Sequence, residues 1–143
     1  MRVAIGSDHG GLDLKNEVIS FLKTRPELSV IDSGTHTEES VDYPDFGRRV
    51  SEMILNKTAD LGILICGTGI GISMMANRFK GIRAALVYDR FTAEMAKAHN
   101  NANILCLGGR TTTIENAKHF VQIWLDTPFE GGRHQTRLEK LDL

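Results

Sequence analysis

The stretch LGILIC, residues 61–66, is apolar throughout and runs directly into the glycines of GTGIG, residues 67–71. A strand with one wet face alternates apolar and polar side chains. This one barely alternates, so both of its faces are expected to be buried. Strands of that kind belong to parallel sheets covered by helices above and below. A parallel connection also needs a crossover of a dozen residues or more, usually a helix. One short run therefore selects an α/β architecture, and the rest of the chain has to supply the crossovers.

It does so in order. RVAIG (2–6), LSVID (28–32), IRAALVY (82–88) and ANILCLGG (102–109) read as the other strands. LKNEVISFLKT (14–24) places Leu14, Val18, Phe21 and Leu22 at helical spacing before RPE breaks it. Pro44 opens a helix over 45–57 with Phe46, Val50, Met53 and Ile54 inward, and further helices are expected over 71–78, 90–100 and 113–127. The tail from 131 is polar and partly helical. Five strands, each followed by a helix, predict a three-layer α/β sandwich around a mainly parallel sheet. At 143 residues the chain is expected to form one domain, 1–143, able to bury a core without staples.

Composition removes several classes. A formal net charge of -1 argues against a general nucleic-acid binder, which normally presents a basic face. No run of 18 apolar residues and no apolar leader occurs, so a cytoplasmic protein without a membrane span is expected. Cys66 and Cys106 are the only cysteines, which is neither a disulfide framework nor a zinc spacing.

In open α/β sheets, ligands bind outside the carboxyl ends of the strands. Those ends carry Ser7-Asp8-His9, Cys66-Gly67-Thr68 and Gly108-Gly109-Arg110, and the segment after the fourth helix adds His99-Asn100. Cys106, inside a strand, reads as a small buried hydrophobe. Cys66 ends its strand just before a helix N-terminus, where N–H groups and the dipole favour an anion. A core role and a reactive role both remain open for it. The glycines could pack strand against helix, or let backbone amides cradle a phosphate or an oxyanion. A Walker loop would need a lysine, and G-x-G-x-G is not the dinucleotide fingerprint. A non-catalytic nucleotide- or flavin-binding module is therefore the weaker alternative. Asp8 could simply cap a helix. His36 reads as solvent-facing and His119 as structural. Glu38, Glu39 and Asp42 are assigned no chemistry, and Phe120, Val121, Ile123 and Trp124 form a core or interface stripe. Arg133 and Arg137, four apart, would share a helical face suited to a phosphate.

Together, IGSDHGG, DSGTHTEESVDYPDF, GILICGTGIGISMMANRFKGIRAALV, AHNNANILCLGGR and FEGGRHQTR resemble the type B ribose-5-phosphate isomerases. That group is related to the allose-6-phosphate and galactose-6-phosphate isomerases. The resemblance implies a Rossmann-like sheet of order 2-1-3-5-4 and a homodimer or tetramer with its site shared between subunits. It also implies aldose–ketose isomerisation in the pentose phosphate pathway, with no metal and no other cofactor. A six-carbon 6-phosphate such as allose 6-phosphate is the alternative substrate. By the same resemblance Cys66 is the base, His99 the ring-opening acid, and Thr68 with the amides of Gly67, Gly69, Ile70 and Gly71 the stabiliser of the intermediate. Asp8, His9, Asn100, Arg110, Arg133 and Arg137 would contact the substrate, and Tyr43 would line the pocket. Some family members use a glutamate base near position 70. This chain has Ile70 there, consistent with the cysteine.

Overall fold

The computed structural model describes residues 1–142. Its sheet has five parallel strands, β1 (Arg2–Ser7), β2 (Ser29–Asp32), β3 (Leu61–Cys66), β4 (Ala84–Leu86) and β5 (Ile104–Gly108), in the order 2-1-3-5-4. The helices are α1 (Leu12–Leu22), α2 (Tyr43–Leu55), α3 (Ile70–Ala76), α4 (Arg90–Ala98), α5 (Ile114–Asp126) and α6 (Arg133–Leu138). A single 3-10 turn, His9–Gly11, precedes α1. No helix among the described residues is long and apolar enough to cross a membrane.

The period of two along each strand divides the core into two layers. Ile63, Ile65, Leu105 and Leu107 pack with Leu14, Val18 and Leu22 of α1, Ala93 and Ala96 of α4, and Phe120, Val121 and Trp124 of α5. Leu64, Cys66, Ile104 and Cys106 face the other way, onto Phe46 and Val50 of α2 and Ile72 and Ala76 of α3. Connections that step one way across the sheet (α1, α4) thus take one face and those that step back (α2, α3) take the other, as a single crossover hand requires. Trp124 is fully buried and its Nε1–H donates to the Ala102 carbonyl, so the α5 stripe is core.

Several element boundaries shift by a residue or two from those read in the sequence, and the fourth strand and third helix are clear cases. The fourth strand is only Ala84–Leu86. The Asn77 side-chain amide donates to the Ala84 carbonyl and accepts the Ala84 N–H. It thus occupies the edge where another strand would pair. The third helix is Ile70–Ala76, one residue earlier and two shorter at its end. His119 is exposed on α5 and outside the core, which corrects its assignment as structural.

Candidate active site

The chain reverses its direction across the sheet between β1 and β3, and the carboxyl ends of these two strands meet at that switch point, where open α/β sheets bind their ligands. Strand register brings Ser7 level with Ile65 and Cys66 level with Gly108. The loops that follow are then tied to one another. Asp8 N–H donates to the Ile65 carbonyl at 3.2 Å, Gly109 N–H to the Cys66 carbonyl at 2.8 Å, and Arg110 N–H to the Gly67 carbonyl at 2.9 Å. A methyl group on Gly10 would lie 3.4 Å from both an Asp8 carboxylate oxygen and the Gly67 amide, and 3.5 Å from an Arg110 guanidinium nitrogen. Asp8, Gly67 and Arg110 therefore surround one small space. Asp8 is 8% exposed and caps the turn by accepting from Gly11 N–H at 3.1 Å. The capping role and the place at the ligand edge coexist. His9 Nδ1 accepts the Val41 amide at 3.2 Å, which leaves Nε2–H as its free donor.

Cys66 is 5% exposed and belongs to the apolar layer under α2 and α3, yet its Sγ accepts the Gly69 N–H at 3.2 Å. The loop is shaped to deliver that amide. Gly69 has φ +79°, and a side chain there would strike the Leu107 backbone at 2.9 Å. Thr68 Oγ1 accepts the Ile70 N–H at 3.3 Å. Gly67, Thr68 and Gly71 have no acceptor for their amides among the described residues. Tyr43, at the start of α2, lies against Gly71, where a methyl group would come within 2.8 Å of its hydroxyl oxygen. Cys106 has none of this. It is fully buried, and burial, followed by the neighbouring Cys66, pushes its thiol far above the ordinary range.

His99 and Asn100 do not join this group. The sequence suggested them as part of the same ligand edge; the structure corrects that. Helix α4 leaves β4 at the carboxyl edge and returns to the amino edge, where Ala102 N–H bonds the Ala96 carbonyl and Gly62 N–H bonds the Asn103 carbonyl. The length of β5, about 13 Å at roughly 3.3 Å per residue, separates that edge from the one carrying Cys66. Here Glu130 N–H donates to the Ala98 carbonyl, and a cavity of about 250 Å³ is lined by His99, Asn100, Arg133, His134, Arg137 and Leu138. Arg133 and Arg137 share the helical face that their spacing predicts. The sequence-predicted residues thus fall into two groups at opposite ends of the sheet. Asp8, His9, Tyr43, Cys66, Gly67, Thr68, Gly69, Ile70, Gly71 and Arg110 stand at one, and His99, Asn100, Arg133 and Arg137 at the other.

His134 and Glu130 were not singled out from sequence. The ring of His134 stacks on that of His99, centroids 4.0 Å apart and planes 14° apart. Glu130 Oε1 lies 3.7 Å from His99 Nε2 and 3.5 Å from His134 Nε2. Burial, then the charges of His99 and Arg133, lowers the His134 pKa. The available signal was the four-residue spacing of Glu130 and His134.

A five-stranded parallel sheet of order 2-1-3-5-4, with a thiol at its switch point that accepts a loop amide, defines a Rossmann-like α/β protein. The chain belongs to the Ribose/Galactose Isomerase family, whose model matches residues 3–141. It is 43% identical over 140 residues to the ribose-5-phosphate isomerase B of Escherichia coli, covering 98% of this chain and 93% of that one. The ribose-5-phosphate isomerase B of Clostridium thermocellum superposes with a TM-score of 0.97 at 51% identity, covering 99% of this chain and 95% of that one. The Mycoplasma genitalium ribose-5-phosphate isomerase B, solved with bound ribulose-5-phosphate, superposes with a TM-score of 0.93 at 45% identity, covering 98% and 93%.

Proposed function

We propose that this chain is one sugar-phosphate isomerase domain, residues 1–143, that interconverts ribose 5-phosphate and ribulose 5-phosphate in the cytoplasm. The observation that carries the reading is the Gly69 N–H bond to Cys66 Sγ, which sets a sulfur base beside an amide-lined loop at the switch point. Family membership and the ribulose-5-phosphate bound to the Mycoplasma relative support the substrate.

The chemistry moves one proton between neighbouring carbons. Cys66, as thiolate, takes the C2 proton of the open aldose. The C2–H electron pair enters the C1–C2 bond, and the carbonyl pair moves onto O1 as a cis-enediolate forms. The amides of Gly67, Thr68 and Gly71 face that charge; preorganised donors of this kind are commonly worth about 3 kcal/mol each. Cys66 returns its proton to C1, the O2 hydroxyl proton passes to O1, and the ketose results. Hydrogen stays within one molecule as a proton, so no redox partner takes part. Asp8 and Arg110 border the space beside Gly67, and His9 offers its Nε2–H to the substrate. Tyr43 closes the wall at Gly71.

His99 acts as the acid that opens the sugar ring, and Arg133 and Arg137 hold the phosphate with bidentate bonds. Their place at the far edge of their own sheet supports a site completed by a second copy, in a homodimer or a larger assembly. Ile70 (47% exposed) and Met74 (64%) on α3, with Tyr88 (70%) and Phe91 (67%) at the β4–α4 turn, leave large apolar side chains near the Cys66 edge for that copy to cover.

The test is to supply ribose 5-phosphate and allose 6-phosphate separately and measure ketose formed from each. Faster conversion of ribose 5-phosphate is expected. Conversion of allose 6-phosphate alone would replace the substrate, and no ketose from either would end the isomerase reading.

A further inference from the structure

We propose that His134 is a positioning residue for His99: its buried ring is the flat platform that fixes the plane of the ring-opening imidazole. The inference rests on the role given to His99 above. His99 is the C-cap of α4, is partly exposed, and has only Glu130, itself exposed, within reach of its Nε2. Nothing in that list fixes the rotation of its ring. His134 does so: it is 6% exposed, anchored on α6, and stacked at 4.0 Å and 14°. Aromatic rings in offset contact hold each other's orientation.

His134 also carries a cost that a purely structural residue would avoid. Its Nε2 is buried without a hydrogen bond, with Glu130 Oε1 3.5 Å away, and such groups in a native protein call for a reason. Two other uses fit the geometry poorly. Three ligand atoms of His99, Glu130 and His134 lie within 4.8 Å of one another, as in a metal site. But two nearly parallel rings cannot both contain one ion in their planes, and Arg133 and Arg137 line the same cavity. A direct acid role fits no better, because His134 is buried whereas His99 is partly exposed. What remains is the face of the ring. A group acting through its face can be replaced by another flat ring, whereas one acting through its nitrogen cannot.

The experiment compares His134→Phe, His134→Leu and His99→Asn with the unaltered protein on ribose 5-phosphate. Both His134 replacements fill the buried volume, but only phenylalanine supplies a flat face. Misplacing a catalytic group by about 1 Å can cost on the order of a hundredfold, so His134→Leu is expected to lower kcat by about tenfold to a hundredfold, with KM within about twofold. His134→Phe is expected to recover kcat to within about threefold of the unaltered protein. Because it removes the unpartnered Nε2, it should also melt no lower. Equal kcat in the leucine variant and the unaltered protein would overturn the proposal, as would equal losses in the leucine and phenylalanine variants. Should either variant fail to fold, the His99 ring proton resonances of the unaltered protein decide. The upfield ring-current shift of a stacked imidazole is expected, and unshifted resonances would refute the platform. If His99→Asn keeps full turnover, the ring-opening role itself fails, and that result is distinct from any of the others.

Discussion

Cys66 and Cys106 point to the same face of neighbouring strands and differ in what lies beyond them. Cys106 has another strand residue on each side; Cys66 has the turn that aims Gly69 N–H at its sulfur. The two positions should therefore respond in opposite ways to alanine. General-base catalysis contributes about a hundredfold to ten-thousandfold, so Cys66→Ala should lose about that much kcat while ribose 5-phosphate still binds. Steady-state kinetics with a binding isotherm checks this, and retention of a tenth of the turnover would remove the sulfur from the mechanism. Cys106→Ala should keep its turnover and lose about 1 kcal/mol of stability in urea, as modest core truncations do. That Cys66 ends a strand before a glycine loop is legible in LGILICGTGIG, because apolar runs end where burial ends. That the sulfur takes the third amide of the loop is not, because it depends on a left-handed φ that glycine permits and does not dictate.

At the scale of elements, the Cys66 loop and the segment after β2 hold the site from two sides. Gly69→Ala would force an L-residue into φ +79° and drive its Cβ to 2.9 Å from the Leu107 backbone. The left-handed conformation alone costs about 1–2 kcal/mol, so a loss of at least about 2 kcal/mol in chemical denaturation is expected. On the other side, the fully buried Lys15 Nζ pairs with Asp32 at 2.7 Å, and Asp32 also accepts the Gly34 amide at 3.0 Å. Gly34 and Thr35 then bond both backbone groups of Ser7, the residue before Asp8. Burial would raise the Asp32 pKa, but the Lys15 hydrogen bond, the Gly34 amide and the Lys15 charge outweigh it, and the net direction is down. A depressed carboxylate pKa adds stability above the ordinary carboxylate range, and that stability is lost as pH falls through the folded value. Asp32→Asn should therefore flatten the acid limb of the unfolding curve. It also leaves a buried ammonium without its charge partner. Full burial of both partners would make that cost about 3–5 kcal/mol; with Asp32 a third exposed, about 2 kcal/mol is expected. Lys15→Met should cost less than Asp32→Asn, and the reverse order would mean that the lysine, and not the pair, holds the loop. The periodicity of α1 shows Lys15 near its apolar face, but its carboxylate partner lies on β2, and local sequence does not pair them.

For the whole molecule, direction along each crossover is what the motifs do not carry. AHNNAN and CGTGIG look like parts of one site because both are dense in polar and small residues. Yet a helix that starts at the carboxyl edge of a parallel sheet must return to the amino edge. His99 therefore stands a strand's length from Cys66 in its own chain. If each working site takes Cys66 from one copy and His99 from another, two inactive proteins should repair each other. In a mixed dimer of Cys66→Ala with His99→Asn, one site receives both intact residues and the other receives neither. Random pairing makes half of the dimers mixed, so unfolding and refolding an equal mixture should recover about a quarter of the unaltered activity, from two parents that have almost none. Dilution below the dissociation point should abolish that recovered activity. No gain on mixing, with subunit exchange shown by mass-tagged chains, would mean that the amino-edge group serves some other purpose and that the Cys66 loop works with its own chain alone.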